Sequence, residues 1–225
     1  MGLYLKDQTW GWLALLPKIF VDAYVRKCDS RLLETAWIMG YRALVCEEIN
    51  VPFSNKNYAS NSSTTRLIRK VVIRAKDVPE LRKKLGEVNY RKQFVTVQPL
   101  DIEVARWASH DSRIDSILLT TENIHVFDKK QQNTMKYYSK PLEIPLHILF
   151  RGDVELRGVI YRRMQLYAGR RVPVIISSMA EKWNELYPPI SIVKLLLTQY
   201  DIPERITLNA ITHIPWVIIS KKEVE

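Results

Sequence analysis

Val172–Ile219, VPVIISSMAEKWNELYPPISIVKLLLTQYDIPERITLNAITHIPWVII, is the stretch whose reading decides the fold. Val172–Ile176 is a short run rich in β-branched apolar residues, as a strand buried on both faces requires. Ser177 and Ser178 stop it. Ser178 and Glu181 have the spacing of a capping box, which predicts a helix from Met179. Further on, Arg205–Thr212 reads as a helix. Trp216–Ile219 is open between a last strand and an apolar segment packed on the domain.

The same alternation extends upstream. Strand-like runs recur at Ile19–Val25, Ala43–Cys46, Leu67–Ile73, Phe94–Val97, Ile114–Leu119 and Leu142–Ile144. Helical spacing lies between them: Leu33, Ala36, Trp37 and Gly40 share one face of Ser30–Tyr41, and Val78, Leu81, Leu85 and Val88 share another. Asp101 is placed to cap a helix bearing Ile102, Ala105 and Ala108, and Asp153 a longer one bearing Leu156, Ile160 and Tyr167. Strands alternating with helices predict a parallel sheet. No glycine-rich phosphate loop follows the first strand, so a small TIM-like (β/α) barrel of seven or eight mostly parallel strands suits the pattern better than a dinucleotide-binding sheet. The expected organisation is an N-terminal extension, residues 1–17, and one barrel domain, residues 18–225. Asn50–Thr65 reads as a long polar loop, and there is no internal repeat.

The chain has 225 residues, enough for one domain with a substantial core. Its 34 Lys and Arg against 24 Asp and Glu give a net charge of +10, which favours polyanionic partners. Cys28 and Cys46 show neither metal-ligand spacing nor a disulfide framework, so a reducing, cytoplasmic compartment is expected. The apolar patch Trp10–Leu16 is too short to span a bilayer, and no membrane is expected. Ile and Tyr usage with the high pI suggests a heat-loving archaeon.

Several segments resemble the archaeal and eukaryotic ribonuclease P protein family known in archaea as component 3. Ser177-Ser178-Met179-Ala180 is similar to its strand-ending Ser pair and small-residue turn, and Leu186-Tyr187-Pro188-Pro189 to its Leu-Arg-Ser-Pro-like stretch. Ile192–Leu197 and Ile214-Pro215-Trp216 match its leucine-rich helix and Pro-containing tail. Upstream, Ala105, the segment Ser112–Leu118 and Leu142-Glu143-Ile144 resemble its remaining strand signatures. The order and spacing agree from about Arg66 to Ile219. Two positions depart: Met179 stands where a Gly is usual, and Tyr187 where an Arg is usual.

The resemblance implies a barrel-shaped protein subunit of ribonuclease P, which removes the 5′ leader of precursor tRNA. In that family the RNA subunit performs the hydrolysis with Mg²⁺, and the protein stabilises the RNA fold. No catalytic residue, bound metal or cofactor is therefore expected in this chain. The implied partners are the ribonuclease P RNA, protein component 2 in a heterotetramer, the other protein subunits, and precursor tRNA through the holoenzyme.

The residues support a binding role on their own chemistry. Barrel enzymes carry convergent polar groups at the C-terminal ends of their strands, and few positions there form a recognisable catalytic set. Metal-dependent phosphoesterases of the polymerase-and-histidinol-phosphatase type place Asp-x-His-x-His on their first strand. Here that stretch is Asp22-Ala23-Tyr24-Val25-Arg26, with a phenol and a guanidinium in place of both imidazoles. The four histidines have no ligand spacing. Glu47 and Glu48 are adjacent on a strand and point to opposite faces. A phosphoesterase barrel stays as the alternative enzyme reading, and a nonspecific nucleic-acid-binding barrel as a third.

The basic signal is denser than average surface. Arg69, Lys70, Arg74, Lys76, Lys83, Lys84, Arg91 and Lys92 fall within the segment Arg66–Lys92. Arg106, His110 and Arg113 form another set, Arg163 and Arg170 a third, and Lys136 lies beside Tyr137 and Tyr138. Lys and Arg neutralise crowded phosphates, and aromatic neighbours can stack on unpaired bases. These fourteen residues are the candidate RNA contacts.

Overall fold

The computed structural model describes residues 19–51, 65–150, 154–169 and 171–222. The N-terminal extension, the Asp153 cap, Arg170 and most of the Asn50–Thr65 loop lie outside them. All seven expected strands form: β1 (Phe20–Cys28), β2 (Tyr41–Ile49), β3 (Arg66–Ala75), β4 (Phe94–Pro99), β5 (Ser116–Leu118), β6 (Leu142–Pro145) and β7 (Val174–Ser177). They pair in parallel and in chain order, which gives a nearly closed barrel.

The helices surround it as α1 (Ser30–Ile38), α2 (Val78–Gly86), α3 (Ile102–His110), α4 (Lys129–Tyr137), α5 (Leu146–Phe150), α6 (Val154–Gly169), α7 (Pro189–Tyr200), α8 (Glu204–Ile211) and α9 (His213–Ile219). The first four begin on an aspartate. Asp29, Asp77, Asp101 and Asp128 each accept a hydrogen bond from a first-turn amide of α1, α2, α3 and α4. Such caps contribute about 1 kcal/mol each and also turn the chain sharply from strand to helix.

No helix begins at Met179. Met179 adopts φ 58°, the left-handed conformation that favours glycine. The chain then runs back along β1: Met179 N donates to the Tyr24 carbonyl (2.7 Å), Arg26 N donates to the Ala180 carbonyl (2.8 Å), and Val25 bridges Ala180 in parallel. Ser178 does cap locally, since its hydroxyl accepts from Ala180 N at 3.1 Å. The predicted capping box is thus a turn that closes the barrel between β7 and β1. The next full helix is α7, begun by Pro189.

The open last segment is a helix, α9, with Pro215 in its first turn, where the missing N–H costs little. Ile219 reaches the barrel interior among Val21, Ala43, Ile68, Phe94 and Ile175. Beyond it, Lys222 donates to Asp115 Oδ2 (2.6 Å) and to the Tyr90 carbonyl (2.9 Å), and Arg66 donates to the Lys222 carbonyl. These groups precede or open β5, β4 and β3, so the C-terminal helix plugs the N-terminal end of the barrel.

The cysteine reading is corrected as well. Cys28 and Cys46 form a disulfide across β1 and β2, with Cα atoms 6.0 Å apart, buried beneath α1. Their spacing of 18 residues carries no framework pattern, because the two meet only once β1 and β2 lie side by side, which spacing does not show. Among the described residues, no helix is long and apolar enough to cross a membrane.

The barrel centre is polar. Lys70 from β3 and Glu143 from β6 are fully buried there and form an ion pair. Lys70 Nζ donates to both Glu143 oxygens (2.9 Å each) and to the Ala23 carbonyl (2.8 Å). Glu143 also accepts from Thr96, Ser116 and Ser177 at 3.2, 2.6 and 3.2 Å. The rings of Tyr24 and Phe94 flank the ammonium, each centroid 4.6 Å away. Burial lowers the Lys70 pKa, and the Glu143 carboxylate opposes that shift. The ammonium and both carboxylate oxygens are hydrogen-bonded, the condition under which a buried pair is tolerated. Removing one partner strands the other: Lys70→Met or Glu143→Leu alone is expected to lower unfolding stability in urea by about 3–5 kcal/mol, and the double variant to recover most of it. Single variants that cost under about 1 kcal/mol would show that the pair does not hold the interior together.

Candidate nucleic-acid interface

The C-terminal mouth, where a barrel enzyme would work, is an opening of about 730 Å³ lined by Tyr24, Arg26, Glu47, Gln98, Thr120 and Lys182 among others. Several of its charged and polar groups are engaged with one another, while Lys27, Glu48 and Lys182 make no ion pair among the described residues. Tyr24 OH donates to Glu47 Oε2 (2.9 Å), Arg26 pairs with Glu181, and Arg74 pairs with Glu122 at 3.0 Å. Gln98 donates to Glu122 (3.1 Å) and Thr120 (3.3 Å). Among the described residues, no three His, Cys, Asp or Glu side chains converge as a metal-binding set.

Asp22 would be the first donor of a phosphoesterase site. Its carboxylate lies instead in the β1–β7 seam, where Oδ1 accepts from Tyr24 N (3.2 Å) and Ser178 N (3.0 Å) while Oδ2 has no partner among the described residues. Burial pushes its pKa up to about 6 despite those amide hydrogen bonds. Directly inside the barrel, the Lys70 ammonium holds three oxygen acceptors, and a fixed cation opposes a metal ion beside it.

The candidate RNA contacts divide by environment. Lys70 must be withdrawn: only 1% of its surface is exposed, and its charge is engaged by Glu143. Period-two alternation along β3 sets Ile68, Lys70 and Val72 on the inner face and leaves Arg69 outside. Lys84 is held by Glu80 (2.7 Å) and the Arg74 carbonyl (2.8 Å), and Arg113 forks onto Asp111. Arg69, Lys76, Lys83, Arg91, His110 and Lys136 are exposed, while Lys92, Arg106 and Arg163 are half-buried. Arg69, Lys83 and Arg91 make no ion pair among the described residues.

They do not form one patch. Arg74 and Lys76 stand at the C-terminal rim of β3, Arg91, Lys92 and Arg113 in the loops entering β4 and β5, and Arg163 on α6. The best convergence is on the wall made by α2, α3 and α4. A depression lined by Lys76, Asp101 and Arg106 adjoins a second, of about 660 Å³, lined by Arg106, Trp107, His110, Lys130, Tyr137 and Tyr138. The Arg82 guanidinium lies over the Trp107 ring, 5.3 Å from its centroid. Charge density does not point to Trp107; its helical spacing from His110 is the signal that places both on one face. The wall offers cations beside open aromatic faces, chemistry suited to phosphates and bases.

No known family profile and no curated protein matches the chain in sequence. Its fold is similar to a chain in the cryo-electron-microscopy structure of archaeal ribonuclease P with mature tRNA. The TM-score is 0.71 at 15% identity, over 89% of this chain and 90% of that one. It is also similar to an uncharacterized protein of known crystal structure, with a TM-score of 0.63 at 10% identity, over 90% of this chain and 74% of that one. At such identities the likeness establishes the barrel.

The seam aspartate yields a pH dependence. Because the folded pKa of Asp22 is raised from 3.8 to about 6, the native state binds more protons than the unfolded chain between those values. Its stabilising contribution is therefore full below pH 3.8 and is lost as the pH rises through about 6. Asp22→Asn keeps an acceptor for both amides, and it should raise stability at pH 7.5 by about 2–3 kcal/mol relative to its effect at low pH. Urea titrations of both proteins from acid to neutral pH measure this, and parallel pH profiles would refute the assignment.

Proposed function

We propose that this chain is the barrel-shaped protein subunit of ribonuclease P and acts as a scaffold for the catalytic RNA. The observation that carries the reading is the end-to-end correspondence, 89% of one chain on 90% of the other, with a chain of an archaeal ribonuclease P structure. Two features of the site support it. At the mouth Arg26 and Arg74 are paired with Glu181 and Glu122, while Arg69, Lys83 and Arg91 stand outside with no ion pair among the described residues. The RNA subunit performs phosphodiester hydrolysis with Mg²⁺, and this chain supplies phosphate neutralisation. Lys and Arg held on a rigid barrel replace diffuse counterions, so the folded RNA needs less Mg²⁺ to compact. Protein component 2, in a heterotetramer, and the other small subunits complete the particle that receives precursor tRNA. Cytoplasmic residence follows from that role.

Reconstitution tests the reading. With the RNA subunit and component 2, adding this chain should restore leader cleavage at reduced Mg²⁺. Activity indifferent to its omission, or cleavage of precursor tRNA by the purified chain without any RNA subunit, would end the proposal. Arg69→Gln with Lys83→Gln removes two exposed cations without touching the interior. This variant should flatten the dependence of log affinity on log salt by about one to two units, at about 0.7 to 0.9 for each phosphate no longer neutralised.

A further inference from the structure

The cleft between α3 and α4 is narrow at its base and aromatic at its lip. Ala105, Ala108 and Ser109 of α3 are buried and small, which lets the helices approach closely. Gln131 of α4 pins them there by donating to the Ala105 carbonyl (3.0 Å) and to Ser109 Oγ (2.8 Å). Above this base the rings form a chain. Trp107 and His110 have centroids 5.7 Å apart, His110 and Tyr138 5.8 Å, and Tyr138 and Tyr137 4.9 Å. Successive rings are steeply tilted, at 67°, 56° and 85°, so they do not cover one another face to face. Tyr137 is 81% exposed and Tyr138 48%.

Cations line the same cleft. Arg106 and Lys130 border it, against Glu103 as the acidic lining residue. Arg106 reaches Asp128 through Nη2 at 3.5 Å, a long contact, and its buried Nε has no partner among the described residues. A protein interface of the usual kind would bury its aromatic residues in a core depleted of lysine. Open ring faces beside the Arg106 and Lys130 cations fit a ligand that carries flat π-surfaces and anionic groups along one chain.

We propose that the α3–α4 cleft takes a single-stranded RNA segment, its unpaired bases stacked on Tyr137, Tyr138 and His110 and its phosphates paired with Arg106 and Lys130. This rests on the RNA-binding reading of the chain and specifies the state of the RNA. Bases within a duplex already stack on one another and present no face to a side chain; only unpaired bases can use these rings.

The test uses the full chain and a fluorescein-labelled oligoadenylate of about ten nucleotides, with an RNA hairpin of similar charge as comparison. Tyr137→Leu with Tyr138→Leu should weaken oligoadenylate binding about ten- to a hundredfold, leave the salt slope unchanged and spare the hairpin. Arg106→Gln with Lys130→Gln should instead flatten the slope by about one to two units. Circular dichroism checks that the variants fold. A 5-iodouridine crosslink mapped to Tyr137, Tyr138 or His110 gives a second readout on the unaltered protein. Oligoadenylate affinity untouched by the tyrosine changes, an equal loss for the hairpin, crosslinks confined to other surfaces, or displacement by a glutamate peptide as effective as by oligoadenylate would each overturn the proposal. Failure of the reconstitution with single-strand binding intact would remove the ribonuclease P role and leave the cleft assignment standing.

Discussion

The Lys70–Glu143 pair is the constraint around which the barrel is organised. A carboxylate and an ammonium sealed inside a protein are tolerable only when each finds the other and every remaining hydrogen-bonding position is filled. Here the acceptors and donors come from β1 through Ala23, β4 through Thr96, β5 through Ser116 and β7 through Ser177, besides the two strands that carry the charges. Slipping any of these strands by one residue would exchange its inner and outer faces and leave the pair short of a partner. An apolar interior would tolerate several registers. The ion pair favours one.

Closing seven strands into a barrel leaves a seam where an eighth would stand. Among the described residues, no further strand fills it. After β7, the left-handed Met179 redirects the backbone so that Ala180 pairs with β1, and Asp22 ties the amides of Tyr24 and Ser178 across the gap. At the N-terminal end the closing element is α9, whose Ile219 enters the apolar layer below the ion pair and whose following Lys222 binds the buried Asp115. The interior is thus stacked as an apolar floor, a charged middle and a wet mouth. Burial in the seam raises the pKa of the Asp22 carboxyl to about 6.

The parts legible in the sequence are those governed by local periodicity. Continuous apolar runs are what strands buried on both faces require, and an aspartate before a helical face is a cap, so strands and helices fall where the pattern puts them. Non-local pairing hides the rest. Ser178 and Glu181 have capping-box spacing, yet the segment returns to β1, because backbone partners at Tyr24 and Arg26, remote in sequence, outcompete a local helical turn. Cys28 and Cys46 meet only because β1 and β2 are neighbours in the sheet. Lys70 carries the same charge signal as Arg69, and only the phase of the strand, set by Ile68 and Val72, separates an inward lysine from an outward arginine. Trp107 is invisible to a search for charge, although it lies between Arg106 and His110.

The distribution of charge then argues where this barrel works. In a catalytic barrel the mouth holds groups whose partners are to arrive with the substrate, which leaves them poised rather than satisfied. Here Arg26, Arg74 and Tyr24 are already bonded to Glu181, Glu122 and Glu47, and the Lys70 cation, which could otherwise polarise a substrate, is withdrawn below to Glu143. Outside, Arg69, Lys83 and Arg91 have no counter-ion among the described residues. A net charge of +10 makes self-repulsion a cost to the compact state. A polyanion bound at such a surface would offset that repulsion and release its own counterions in the same step.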